Sequence, residues 1–243
     1  MSALAVAYAV LLYAATAVLV VGVALKIRSY LRTPSPLKIP TTPAPTTQGG
    51  VALRLTREVV FFESLFRASK WTWIFGWTFH AALLLVLLRH LRYFQQPVWQ
   101  PVVLVQAIGA YAGIAMVAGL AGLWARRWLV DRVRYISTPS DHLHLVLLLA
   151  IGVSGLAMRF VNHTDIIAVK AYMLGLLRLD LQPLPADAPL LIHLALVALL
   201  MAIFPISKLL HAPGLFFSPT RNQADNSREQ RHLTPWAAGL DRR

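Results

Sequence analysis

The sequence predicts an all-α integral membrane protein with five transmembrane helices. Three observations carry that prediction. The chain is 57% hydrophobic and only 14% charged over 243 residues, whereas soluble domains carry roughly 25% charged residues. Five stretches are apolar for long enough to cross a hydrocarbon core of about 30 Å, which takes about 20 helical residues. Four histidines sit inside two of those stretches, and an ionisable side chain at such a depth is a functional candidate by default.

Taken in order, the spans are expected at 3–25, 71–94, 101–125, 142–160 and 190–210. The first lacks a basic leading region, and its apolar core is too long for a cleaved signal peptide, so it reads as a span. Between the first and second lies a long polar connection. Its middle, TPSPLKIPTTPAPTTQGG, is rich in proline and threonine and reads as extended linker. The following LRLTREVVFFESLFRASK alternates apolar and charged residues at helical spacing, which predicts an amphipathic helix lying at the membrane surface. A second amphipathic stretch at 164–181 is too charged to span and is placed to cover one edge of a helical bundle. By this reading residues 1–26 are the first transmembrane helix, 27–70 a cytoplasmic loop with an amphipathic segment, 71–211 a four-helix core and 212–243 a cytoplasmic tail.

Five spans put the two ends of the chain on opposite sides, and the basic residues choose which. Eighteen of the 23 lysines and arginines fall in the first long connection, in the connection after the third span (Arg126, Arg127, Arg132, Arg134) and in the tail. The other side holds Arg89, Arg92, Arg159, Lys170 and Arg178. The positive-inside rule makes the richer side cytoplasmic, with the N-terminus periplasmic and the C-terminus cytoplasmic in a bacterial inner membrane. This asymmetry accounts for most of the +13 net charge without a nucleic-acid partner. It is equally suited to a docked protein or to anionic lipid. There is no cysteine, which excludes disulfides, cysteine-ligated iron–sulfur clusters and haem attachment through C-x-x-C-H. Nothing repeats internally, and no nucleotide-binding glycine loop or zinc spacing is present.

The histidines supply the chemistry. His80 and His90 are ten residues apart in the second span, and His193 and His211 are eighteen apart in the fifth. At a rise of 1.5 Å and a turn of 100° per residue, His80 and His90 are about 15 Å apart and about 80° offset, and His193 and His211 are about 27 Å apart after five full turns, so each pair shares one side of its helix. The two spans run in opposite directions. His80 and His211 therefore lie toward the cytoplasm and His90 and His193 toward the outside. Two depth-matched pairs of imidazoles on antiparallel helices are the ligand set of two bis-histidine haem b groups, and the fold class becomes a dihaem cytochrome b bundle. A tilt and a kink at Pro205 absorb the unequal rises. Arg89 and Lys208, at the depth of the haem edges, are candidate partners for haem propionates, although snorkelling basic residues occupy the same positions. His142 is the reserve ligand for the inner haem. His144 is placed at the interface, His163 and His232 in solvent, and Trp71, Trp73 and Trp77 in an interfacial aromatic belt.

FHAALLLVLLRH and IHLALVALLMAIFPISKLLH, with RRWLVDRVRYISTPSDHLHL between them, resemble the haem-ligand pattern of the respiratory nitrate reductase gamma subunit. That likeness covers about 71–213. It implies His80 and His211 on the cytoplasmic haem, His90 and His193 on the outer haem, and a quinone as exchangeable redox partner. The family's lysine implicated in quinol binding has no counterpart in FQQPVWQPVVLVQAIGAY, so a quinone site carries over by position alone. The loop with LKIPTTPAPTTQGG and the stretch ending SLFRASKWTWIFGW are similar instead to the DsrM type of membrane cytochrome, from the dissimilatory sulfite-reductase-associated DsrMKJOP complex. This second likeness spans nearly the whole chain. It implies a DsrK-like iron–sulfur subunit on the cytoplasmic face and DsrJ-, DsrO- and DsrP-like partners. The function expected is electron transfer between the quinone pool and that iron–sulfur partner in sulfur metabolism. The alternatives are a nitrate reductase gamma subunit and, in another class, a non-redox membrane anchor or transporter.

Overall fold

Five helices of the computed structural model have the length and apolar character to cross a membrane: Ala3–Arg32, Lys70–Tyr93, Gln106–Leu129, Pro139–Phe160 and Ala188–Ile206. The structure describes residues 2–33, 39–226 and 239–240, and no strand occurs among them. His232, Lys38 and the tail residues Arg228, Arg231, Arg242 and Arg243, all used in reading the sequence, lie outside that set. In chain order the helices are α1 (Ala3–Arg32), α2 (Gln48–Phe61), α3 (Glu63–Ala68), α4 (Lys70–His90), α5 (Gln100–Leu104), α6 (Gln106–Leu129), α7 (Asp131–Ile136), α8 (Pro139–Phe160), α9 (Ile166–Arg178), α10 (Ala188–Ile203), α11 (Ala212–Phe217) and α12 (Pro219–Asn222). Single 3₁₀ turns follow α4 at Leu91–Tyr93 and α10 at Phe204–Ile206.

Most boundaries have a local cause. Ser69 caps α4 by accepting from the Thr72 amide at 3.4 Å. Thr138 and Asp141 form a reciprocal capping box that starts α8, with Pro139 in the first turn, where its missing N–H costs nothing. The surface stretch expected as one amphipathic helix is two, α2 and α3. They are separated by Phe62, whose φ of 52° breaks the hydrogen-bond ladder, and α2 starts upstream at the Thr47 cap. The third span is also divided: α5 closes at Val105, and the spanning helix is α6.

The largest departure concerns the fifth span. The sequence reading continues it to 210 through a kink at Pro205, with His193 and His211 on one face. In the structure the α-helix ends at Ile203, Phe204–Ile206 is a 3₁₀ turn, and His211 stands beyond it as the residue before α11. Proline has no N–H to give the carbonyl four residues back, and its ring crowds that carbonyl. With Ser207 and Leu210 bonding back only three residues, to Phe204 and Ser207, the helix does not resume. The five-turn argument for His211 therefore does not hold.

By contacts the chain forms two compact units, Met1–Val18 with Ser69–Ile203, and Leu19–Ala68 with Phe204–Arg243. In the first, α6 packs on α4, α8 on α6 and α10 on α8. Glycines make the α4–α6 approach possible. A Cβ on Gly119 would lie 2.9 Å from the Phe75 carbonyl oxygen and 3.0 Å from the Phe79 amide nitrogen, so backbone rests on backbone there. Small residues serve helix association in lipid in this way. Helix α9, expected as an edge cover, packs Val169, Tyr172, Met173 and Leu176 against Ala5 and Ala9 of α1 and Leu190 and Leu194 of α10. Three tyrosine hydroxyls bind this layer: Tyr172 donates to the Ala5 carbonyl at 2.9 Å, Tyr13 to that of Leu176 at 2.6 Å and Tyr8 to that of Leu191 at 3.0 Å.

Tyr172 is fully enclosed, and burial pushes its phenol up to about 12. An unfolded tyrosine titrates near about 10, so the raised value stabilises the fold below about pH 10 and that contribution is lost between about pH 10 and 12. Tyr172→Phe is expected to lose about 1 kcal/mol at neutral pH and to show a shallower alkaline decline. Melting temperatures across that range check it, and a decline as steep as the parent's would remove Tyr172 as its source.

In the second unit, the long connection and the chain beyond α10 are tied to each other. Arg221 donates to Glu58 at 3.1 Å and to the Ser64 hydroxyl at 2.9 Å. Ser64 in turn donates to Glu58. The Thr41 amide bonds the Thr220 carbonyl at 2.9 Å and the Asp225 amide that of Pro45 at 2.8 Å. The 3₁₀ turn at Pro205 lies close against Gly22, where a Cβ would come within 2.6 Å of the proline Cβ.

Candidate functional site: paired intramembrane imidazoles

The site is built from α4 outward. Long side chains on a helix lean back toward its N-terminus, and both α4 histidines use that lean. Nδ1 of His80 lies 2.7 Å from the Gly76 carbonyl oxygen, and Nδ1 of His90 lies 2.7 Å from that of Val86. A carbonyl only accepts, so Nδ1 carries the proton and Nε2 is left with its lone pair, the form that ligates a metal. His193, in the second turn of α10, is nearly buried at 9% exposure among Leu190, Leu194 and Ala198. Its Nδ1 lies 2.9 Å from the hydroxyl of Ser154 on α8.

The structure brings His90 and His193 together. Their ring centroids are 6.4 Å apart and their planes differ by 14°. The rings are close to parallel, at the outer end of the spacing of offset-stacked pairs. A metal–imidazole bond is about 2.0 Å and the ligating nitrogen lies about 1.1 Å from its centroid, so two imidazoles opposed across one metal put their centroids about 6.2 Å apart. The observed separation matches that spacing, so His90 and His193 are the residues that would hold a metal between them. Among the described residues no group of three or more His, Cys, Asp and Glu is gathered for a metal ion.

His80 belongs to the first unit and His211 to the second. His211 and Lys208 line one cavity of about 390 Å³ with Lys26, Tyr30, Pro205 and Ser207. Arg89 points at the start of α6, donating to the Gln106 carbonyl at 3.2 Å, while Arg92 donates to the Gln106 side chain at 2.8 Å. Gln106 anchors both arginines, and no sequence pattern announced it. His142 accepts at Nδ1 from the Trp124 indole N–H at 3.2 Å and lies beside the Trp128 ring. That bond puts the proton of a neutral imidazole on Nε2, the opposite tautomer from His80 and His90, and counts against its reserve role as a ligand. Ser154 was also missed. The signal was a hydroxyl in the apolar run LLLAIGVSGLAM.

Spanning helices that hold paired, tautomer-fixed imidazoles in their apolar interior define a polytopic membrane protein of cytochrome b-like build. The chain belongs to the nitrate reductase gamma subunit family, whose model matches residues 64–224. It is similar to an "Hdr-like menaquinol oxidoreductase cytochrome b-like subunit" of Archaeoglobus fulgidus, at 37% identity over 92% of this chain and 81% of the relative. A protein of the same description from Archaeoglobus profundus is 33% identical over 92% of this chain and 80% of its own. No solved structure matches.

Proposed function

We propose that the chain is the dihaem cytochrome b subunit of a membrane oxidoreductase, carrying electrons between a quinol pool and an iron–sulfur partner on the cytoplasmic face. One observation carries most of this reading: parallel imidazoles of His90 and His193 at 6.4 Å, each with Nδ1 already engaged. His90 and His193 hold the outer haem, and His80 and His211 the inner one, within a haem-binding core at 71–211. Arg89, whose guanidinium has five donors and uses one on Gln106, and Lys208, beside His211, are the propionate partners. When bound, haem supplies a one-electron couple that no side chain of this cysteine-free chain provides. The residues themselves fix tautomers, hold the ligand spacing and exclude water, and burial together with ligand hydrogen bonding sets the potential of such a centre.

Basic-residue asymmetry supports a periplasmic N-terminus and a cytoplasmic C-terminus. The Archaeoglobus relatives are described as menaquinol oxidoreductase subunits, which supports quinol as the exchangeable donor. Their "Hdr-like" description supports a heterodisulfide-reductase-like partner of the DsrK kind, and with it a DsrM-type role in sulfur metabolism beside DsrJ-, DsrO- and DsrP-like subunits. The family match keeps a nitrate reductase gamma subunit as the second reading. A reduced-minus-oxidised spectrum of the purified chain, expressed with haem supply, is expected to show a b-type α-band, and its absence would sink the proposal. Affinity purification from native membranes then separates the two readings: an iron–sulfur subunit favours the first, a molybdenum enzyme the second.

A further inference from the structure

His80, His90 and His193 each have a hydrogen-bond partner for Nδ1, and one of the three differs in kind. His80 and His90 use carbonyls of their own helix. His193 reaches across to another helix, to Ser154 Oγ at 2.9 Å, thirty-nine residues away in sequence. A carbonyl dictates the proton's position by itself, whereas a hydroxyl can donate or accept. What decides the matter is the third member of the group. Ser154 Oγ also lies 3.0 Å from the Ile151 carbonyl one turn earlier in α8. That oxygen can only accept, so the single hydroxyl proton goes to it. Ser154 then presents a lone pair to His193, and the proton between them belongs to Nδ1. The opposite arrangement, with serine donating to Nδ1, would put the imidazole proton on Nε2 and end its use as a ligand.

Helix α8 contributes none of the four histidines, yet through Ser154 it fixes both the tautomer and the plane of His193. The neighbouring Gly155 lies close to the ring: a Cβ there would stand in ordinary van der Waals contact, 3.5 Å from Cε1. We propose that Ser154 is a positioning residue of the outer haem, holding His193 with its Nε2 lone pair outward and its plane aligned to His90, and strengthening the imidazole as a donor by accepting its Nδ1 proton. An Nδ1–H that gives density to an acceptor makes the ring a better ligand for the oxidised metal. The hydroxyl therefore lowers the potential of the outer centre relative to a site without it. The inference rests on the dihaem reading above.

The test is Ser154→Ala in the full chain, with Ser154→Thr as the variant that keeps the hydroxyl. Parent and variants are purified from membranes and compared by haem-to-protein ratio, low-spin electron paramagnetic resonance and redox titration. The outer signal is the one that His193→Ala abolishes. Ser154→Ala is expected to move the outer signal's largest g value and raise its midpoint potential, with the inner centre unmoved and Ser154→Thr restoring both. Selective loss of the outer haem in the alanine variant with recovery in the threonine variant also supports the role. Signals and potentials equal to the parent's overturn it, as do equal shifts at both centres or alanine and threonine variants that behave alike. If the alanine variant does not accumulate, Ser154→Cys, similar in size and a poor acceptor, is held to the same outcomes. A parent without a b-type band rejects the dihaem reading itself, a result distinct from any of these.

Discussion

His193→Ala is expected to purify with half the parent's haem and to keep one intact b-type centre. On the dihaem proposal, removing this imidazole would leave His90 without its partner, and a bis-imidazole centre would not form with one histidine alone. The spans themselves should survive, because α10 is held by Leu190, Leu194 and Ala198 as well as by its histidine. The same loss is expected for His90→Ala, and the double variant should lose nothing further. This equivalence is the strict part of the prediction, since it follows from the 6.4 Å pairing. Pyridine-haemochrome stoichiometry with low-temperature spectra of the α-band measures it. Two variants that abolish different spectral components would break the pair, and unchanged stoichiometry would remove both residues from the ligand set.

Gly119→Leu is expected to fail differently, by losing both haems together. The added side chain begins 2.9 Å from the Phe75 carbonyl oxygen and 3.0 Å from the Phe79 amide, and backbone cannot turn aside as a side chain can. Overpacking of a closed interface costs about 1–3 kcal/mol, occasionally more. Here relief requires moving α4 off α6, and α4 carries both His80 and His90. The expected result is a low yield of a protein whose α-band falls as a whole and whose detergent melting temperature drops, with Gly119→Ala intermediate. Gly49→Ala is the control, since nothing lies within 4 Å of a Cβ there. A leucine variant with two haems and the parent's melting temperature would show that the close approach is not needed.

Hydropathy made the five spans legible, and the cost of imidazole in hydrocarbon made His80, His90 and His193 stand out before any coordinate. Both signals are local: they depend on residue type and on spacing along one helix. The signals that failed were not local. Pro205 reads equally as a kink or a terminus, and the choice is made by whether the next residues find carbonyls to resume on; Ser207 and Leu210 turn back instead. The break at Phe62 depends on a left-handed residue that no glycine advertises. Ser154 and Gln106 gain their meaning only from side chains that arrive from another helix, and no periodicity encodes such a meeting. Arg221 and Glu58 are a further case, two ordinary surface charges in sequence that the fold makes one ion pair.

His80 and His90 hang from one helix, α4, that runs without a break from Lys70 to His90. Ten residues of rise set them about 15 Å apart along its axis. Electron tunnelling falls off exponentially with distance, so a rate across such an interval stays constant only if the interval does. A covalent rod provides that constancy in a way that two ligands on separately moving helices would not. Tilting or docking can carry α4 about as a whole, but it cannot lengthen the step between its two imidazoles. On the dihaem proposal the helix would thus be the protein's gauge block, with the tempo of the step between the two centres set by ten peptide bonds.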